Sequence, residues 1–303
     1  MKSLTIILPI LISVALLTLI ERKILGYSQI RKGPNIVGLY GILQPIADGV
    51  KLFLKESVLP NHINILIFSV SPILTFILAI IVWGFLSFES QEFLFEHNLS
   101  LFIILAINSV TVYTIIMAGW GSNSKYGFLG SIRATSQMIS YEVSLGLILM
   151  NICLLSGSFN ILDIVMMQKT LGCFFSPLLP ISFIFFISII AETNRAPFDL
   201  TEGESELVSG FNIEYPGFFF ALFFLGEYTH IIFASYIFSI FFFSHTLLLN
   251  IFLKGLLFTI IIIWVRSSFP RFRYDNLMHL LWKNYLPISI VSILITFTII
   301  SLI

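Results

Sequence analysis

The chain has 303 residues, of which 57% are hydrophobic and only 11% charged, and its formal net charge is zero. A soluble domain carries roughly a quarter charged residues, so water is not the main solvent here, and the balanced charge gives no reason to expect nucleic acid as a partner. Two cysteines, Cys153 and Cys173, lack a C-x-x-C spacing and are too few to hold an iron–sulfur cluster.

The apolar residues fall into runs long enough to cross a hydrocarbon layer, and lipid offers no partner to an open backbone, so these runs are expected to be helices. The first span is Leu4 to Ile20; Glu21, Arg22 and Lys23 follow it instead of a small-residue cleavage site, so it is retained as a span. In the first loop Ile42, Ile46, Val50, Phe53 and Leu54 recur at helical spacing opposite Gln44, Asp48, Lys51 and Lys55. That pattern predicts an amphipathic helix along the membrane surface, or one that merely caps the bundle.

Spans two and three are Ile65 to Phe88 and Leu99 to Trp120. Gly119-Trp-Gly121 lacks the third glycine of a phosphate loop and follows a span, so nothing here grips a nucleotide. Span four, Ile139 to Leu155, contains Glu142; span five, Phe174 to Ala191, is closed by Glu192. Span six, Gly217 to Ile240, contains Glu227 and, three residues on, His230; span seven is Leu247 to Val265 and span eight Tyr285 to Ile303. Only Ser244 and His245 suggest a turn between six and seven. The expectation is an all-α polytopic membrane protein of a single domain, residues 1–303, with about eight transmembrane helices plus the surface helix.

Thirteen of the sixteen lysines and arginines lie in the odd-numbered loops, which places those loops on the cytoplasm-like face and both termini on the outer one. The fifth loop departs from this trend: Glu192, Asp199, Glu202, Glu204, Glu206 and Glu214 oppose Arg195 alone, a formal net charge of −5. A capping box at Thr201 and Glu204, or a solvated acidic face, accounts for some of these acids. Crowding beside a membrane would also let some exchange protons near neutral pH. Glu142, Glu192 and Glu227 are costly to place in or beside lipid and mark candidate proton routes, or are protonated acids bonded to neighbouring helices. Lys254 is a counter-ion to one of them or snorkels to the surface. His230 joins such a relay or is a satisfied buried histidine, and the other four histidines have no metal-site spacing.

Four segments together carry a specific resemblance: ERKILGYSQIRKGPNIVGLYGILQPIADGVKLFLKE (21–56), GWGSNSKYGFLGSIRATSQMISYE (119–142), AETNRAPFDLTEGESELVSGFNIEY (191–215) and FPRFRYDNLMHLLWK (269–283). The chain resembles the subunit 1 family of NADH dehydrogenase, the membrane subunits that hold the quinone chamber of complex I. The resemblance implies a core membrane subunit of respiratory NADH:ubiquinone oxidoreductase. Ubiquinone would be its substrate, no cofactor would be bound by this chain alone, and NADH, flavin and iron–sulfur clusters would sit in partner subunits.

The same resemblance implies that Arg22, Arg31, Asp48, Arg195, Asp199 and Arg266 line the quinone chamber. It places Glu142, Glu192, Glu202, Glu204, Glu206, Glu214 and Glu227 on a proton pathway. Partners would be the hydrophilic iron–sulfur and quinone-site subunits, antiporter-like membrane subunits and membrane lipids; the location would be the mitochondrial inner membrane or, alternatively, a bacterial plasma membrane. Phe218 and Phe219 stand where many relatives have Gly-Pro, and Ser136 where alanine is common. The rival readings are the membrane anchor of an energy-converting hydrogenase and a proton-coupled secondary transporter.

Overall fold

A computed structural model describes residues 2–56, 58–86, 97–199, 210–212, 214–244 and 248–302. Among them every regular element is helical. The helices are α1 (Lys2–Ser28), α2 (Gln44–Leu54), α3 (Ile65–Ile81, tightening to a 3₁₀ turn at Val82–Phe85), α4 (Ser100–Gly121), α5 (Lys125–Ser156), α6 (Ile161–Leu171), α7 (Leu179–Glu192), α8 (Gly217–Phe243), α9 (Leu248–Ser268), α10 (Tyr274–His279) and α11 (Leu286–Leu302); a π-helical turn, Leu280–Tyr285, joins the last two. Backbone hydrogen bonds closed within each segment are what a lipid solvent demands.

A helix overlies each of the eight expected spans, with different bounds. Six helices among the described residues are long and apolar enough to cross a membrane, and α7 is a shorter apolar helix of 14 residues. Pro177 and Pro180 explain its length. Phe174–Leu178 forms turns, and the helix starts only where Pro180 can occupy the first turn. The first expected span lies inside the 27-residue α1. Span four is corrected most: α5 begins at Lys125, well before Ile139, and runs for 32 residues. Its polar first half reads as a loop, yet nothing in it breaks a helix. The Ser124 hydroxyl accepts from Gly127 N at 3.2 Å to start it, and Gly157 at φ +69° ends it.

The surface helix is present as α2, with Ile46, Val50, Phe53 and Leu54 all exposed. The helix α6, between spans four and five, is not anticipated by the apolar pattern.

The centre of the bundle is α8, which packs against α1, α2, α3, α6, α7 and α9, while α5 joins α4, α6, α7 and α11. A large apolar core joins these helices, with Phe185, Phe238, Phe241 and Phe242 in ring contact. The break between spans six and seven falls where Ser244 suggests it. The fully buried Gln168 of α6 donates through Nε2 to Ile240 O (3.0 Å) and Phe241 O (2.7 Å) and accepts from Ser244 N (2.9 Å). It supplies the partners that a helix C-terminus lacks. Lys254 Nζ donates to Phe243 O at 3.0 Å beside the same end, satisfying another terminal carbonyl.

α11 is held differently: the buried Asn151 of α5 donates to Ser292 Oγ (3.0 Å) and accepts from Thr296 Oγ1 (3.0 Å). Polar pairs of this kind fix helices to each other where lipid provides no hydrophobic drive.

Candidate functional site

The end of α1 brings charge into the bundle. Glu21 is 5% exposed, and a lone buried carboxylate is prohibitively costly, so the fold surrounds it with donors. Arg195 Nη1 lies 3.3 Å away, and Arg266 Nη1 and the Tyr228 hydroxyl also donate to it. One carboxylate thus ties α1, α8, the end of α9 and the loop after α7.

Arg195 is held from several sides. Its carbonyl accepts from Phe198 N at 2.9 Å, and the fully buried Gln137 of α5 donates to both Ala191 O and Phe198 O at 2.9 Å. Its guanidinium sits 4.4 Å over the Tyr228 ring. Burial alone would lower the pKa of Arg195, but Tyr228, Glu21 and Glu227 raise it overall, so it is a permanent cation.

The surrounding loops add a second tier. Asp199 accepts from Arg271 Nη2 at 3.4 Å, Phe272 N donates to Pro197 O at 2.9 Å, and the rings of Phe198 and Phe272 stack at 5.3 Å. On α2, Asp48 accepts from Arg22 Nη1 at 2.5 Å and from Gln44 Nε2 at 3.0 Å in an exposed pair. Ser136 gains a role from Tyr274, whose hydroxyl is 2.9 Å from its own. Burial pushes the Tyr215 hydroxyl up to about 12, although a hydrogen bond with Ser71 (3.0 Å) pulls the other way.

Below this tier lies a cavity of about 110 Å³, room for several waters. Its lining includes Arg195, Glu227, His230, Glu192, Asn108 and Thr111, so the cluster around Glu21 opens through Arg195 onto acids from α7 and α8. Asn108 Nδ2 donates to Glu192 Oε1 at 2.9 Å, and Glu142 on α5 lies within electrostatic reach of Glu192. Three buried polar atoms at this cavity, Asn108 Oδ1, Asn194 Oδ1 and Arg195 Nη2, have no hydrogen-bond partner among the described residues.

The structure therefore brings together Arg195, Arg266, Glu192 and Glu227, with Glu142 adjoining. Arg22 and Asp48 pair at the surface, Asp199 joins Arg271, and Glu214 is half-buried before α8. Arg31 is exposed and stands apart. Glu202, Glu204, Glu206, the expected capping box at Thr201 and Glu204, and His245 lie outside the described residues. Sequence reasoning missed Glu21, Tyr228 and Asn108 as site residues. For Glu21 the signal was an acid at the very end of an apolar run. Among the described residues no three histidine, cysteine or acidic side chains could hold a metal ion together.

A family model described as NADH dehydrogenase matches residues 1–297. The NADH-ubiquinone oxidoreductase chain 1 of Metridium senile is 52% identical over 304 residues, covering 97% of this chain and 91% of the relative. That of Cyanidium caldarium is 51% identical over 308 residues, covering 97% and 89%. An NADH-quinone oxidoreductase subunit of Rhodospirillum rubrum is 47% identical over 309 residues, covering 98% and 92%.

Proposed function

Because this chain belongs to the NADH dehydrogenase family, as a membrane subunit of the NADH:ubiquinone oxidoreductase complex, we propose that it forms the membrane part of the quinone chamber and carries a carboxylate pathway from it. One observation carries this reading. A charged cluster, buried Glu21 with Arg195 and Arg266, adjoins a polar cavity that holds Glu227, His230 and Glu192 and has Glu142 beside it.

The chemistry fits such an arrangement. A quinone that accepts electrons gains negative charge and takes up protons. Arg195 and Arg266 are cations fixed beforehand near where that charge develops, and Arg22, Arg31, Asp48 and Asp199 line its approach. Glu227, Glu192 and Glu142 pass the electrostatic change on through hydrated contacts, with Glu214 and the loop acids Glu202, Glu204 and Glu206 feeding the same route. Electrons reach ubiquinone through hydrophilic subunits that hold NADH, flavin and iron–sulfur clusters, and antiporter-like subunits receive the response. The setting is the mitochondrial inner membrane, with both termini on the intermembrane side; a bacterial plasma membrane is the alternative.

The test is coupled turnover in the assembled complex. Glu142→Gln and Glu227→Gln each lower proton translocation per NADH oxidised or the rate of quinone reduction. Full coupled turnover in both variants overturns the pathway. A photoreactive quinone analogue labels segments bearing Arg22, Asp48 or Arg195; exclusive labelling elsewhere overturns the chamber.

A further inference from the structure

Asn108 stands in an unusual place. It projects from the middle of α4, a helix otherwise built of apolar and hydroxyl residues, and its amide meets the Glu192 carboxylate at the end of α7. The Nδ2 end donates to Glu192 Oε1 at 2.9 Å, while the Oδ1 end is buried at the cavity without a partner among the described residues. The hydroxyls one and two turns on are already committed as donors. Thr111 donates to Asn108 O and Thr114 to Thr111 O, both at 2.6 Å. Of the side chains on α4 that line the cavity, the Asn108 amide is therefore the one that reaches the acid with a donor and keeps an acceptor uncommitted.

That pairing has a chemical consequence. An ionised carboxylate needs donors, whereas a protonated one needs an acceptor for its own O–H. An amide offers one of each on a planar group of nearly symmetrical shape, and a half-turn about Cβ–Cγ exchanges them. A hydrocarbon side chain satisfies neither form, and leaving a buried polar group unpaired is costly.

We infer that Asn108 is a positioning residue that keeps Glu192 hydrogen-bonded in both its charged and its neutral form, so that the acid can gain and lose a proton without losing its partner. This rests on the carboxylate pathway proposed above. The other titratable groups around Glu192 are Glu142 on α5, Glu227 and His230 on α8, and Arg195 in its own loop. Arg195 only donates and an ionised Glu142 or Glu227 only accepts; a protonated acid or a neutral His230 can do either, but each of these also titrates, whereas the amide does not.

The experiment compares Asn108→Leu, Asn108→Gln and Glu192→Gln in the assembled complex, each normalised to the amount of complex. The pH profile of proton-coupled quinone reduction is the readout. Asn108→Leu displaces the profile by about half a pH unit or more, because the charge-assisted bond lost from the ionised acid is stronger than the neutral one lost from the protonated acid. Asn108→Gln, which keeps both ends of the amide, restores it. Asn108→Ala, which cannot clash, carries the same test should the leucine variant fail to assemble.

If Glu192→Gln is impaired while the apolar variants keep the parent profile, the role of Asn108 is overturned and the pathway stands. Parent-like coupled turnover in Glu192→Gln overturns the pathway, and the role of Asn108 with it.

Discussion

Replacing Glu21 by glutamine neutralises the charge that three donors share while keeping the side chain's shape. Its cost follows from burial. The Arg195 side chain is 11% exposed and that of Glu21 7%, so their ion pair lies in the interior, where removing one partner strands the other at about 3–5 kcal/mol. Arg266 adds less, since its side chain is 31% exposed and water screens it. The glutamine carbonyl still accepts a hydrogen bond, which sets the expectation near the lower end, ~3 kcal/mol.

Tyr228→Phe is the internal comparison. It deletes one hydrogen bond to a charged group, about 1.5–3 kcal/mol, but leaves the ring beneath the Arg195 guanidinium. The assay is the midpoint of thermal inactivation of the solubilised complex, followed by quinone reductase activity. Glu21→Gln is expected to lower the midpoint by several degrees, and Tyr228→Phe by less. A Glu21→Gln complex as stable as the parent, or less affected than Tyr228→Phe, refutes the placement of the buried charge.

Gln168→Leu removes three hydrogen bonds at the end of α8; at ~0.6 kcal/mol for each in a membrane bundle this is about 2 kcal/mol, seen as reduced yield of assembled complex and faster proteolysis near 244. Gly119→Ala places a Cβ 2.0 Å from Ser131 Oγ and 2.4 Å from its Cβ, an overpacking of about 1–3 kcal/mol that Ser131→Gly partly relieves in a thermal-midpoint comparison. Asp48→Asn breaks an exposed pair, so stability changes by no more than about 1 kcal/mol while the KM for quinone rises at constant kcat.

What the sequence made legible was whatever differs from lipid by charge or by length. Apolar runs located the membrane helices, Ser244 marked the break before α9, and Glu142, Glu192 and Glu227 stood out because an ionisable group is expensive in hydrocarbon. Neutral amides carry no such flag. Asn108, Asn151 and Gln168 sit inside or beside apolar stretches, and their partners are 84, 141 and 72 or more positions away, distances that no local pattern reveals.

Glu21 was hidden for another reason. Beside Arg22 and Lys23 it reads as part of a solvated charge run, and only the fold shows that it turns inward while Arg22 turns out. Gly119-Trp-Gly121, dismissed as a phosphate motif, has a packing explanation: α5 approaches Gly119 through Ser131, and Phe68 N would lie 3.0 Å from a Cβ at Gly121. The first half of α5 was misread because polar residues facing a buried loop look like a surface connection.

That first half matters beyond the placing of boundaries. At 1.5 Å per residue α5 is about 48 Å long, more than the hydrocarbon thickness, and it contains no proline. It is a single stiff rod with Gly130 packed on Gly210 near one end, Gln137 gripping the loop of Arg195, and Glu142 barely more than one turn beyond. Rods of this kind tilt more readily than they bend. The loop of Arg195, bonded at Gln137, and α11, bonded at Asn151, are therefore fastened to one unbroken helix that also bears Glu142.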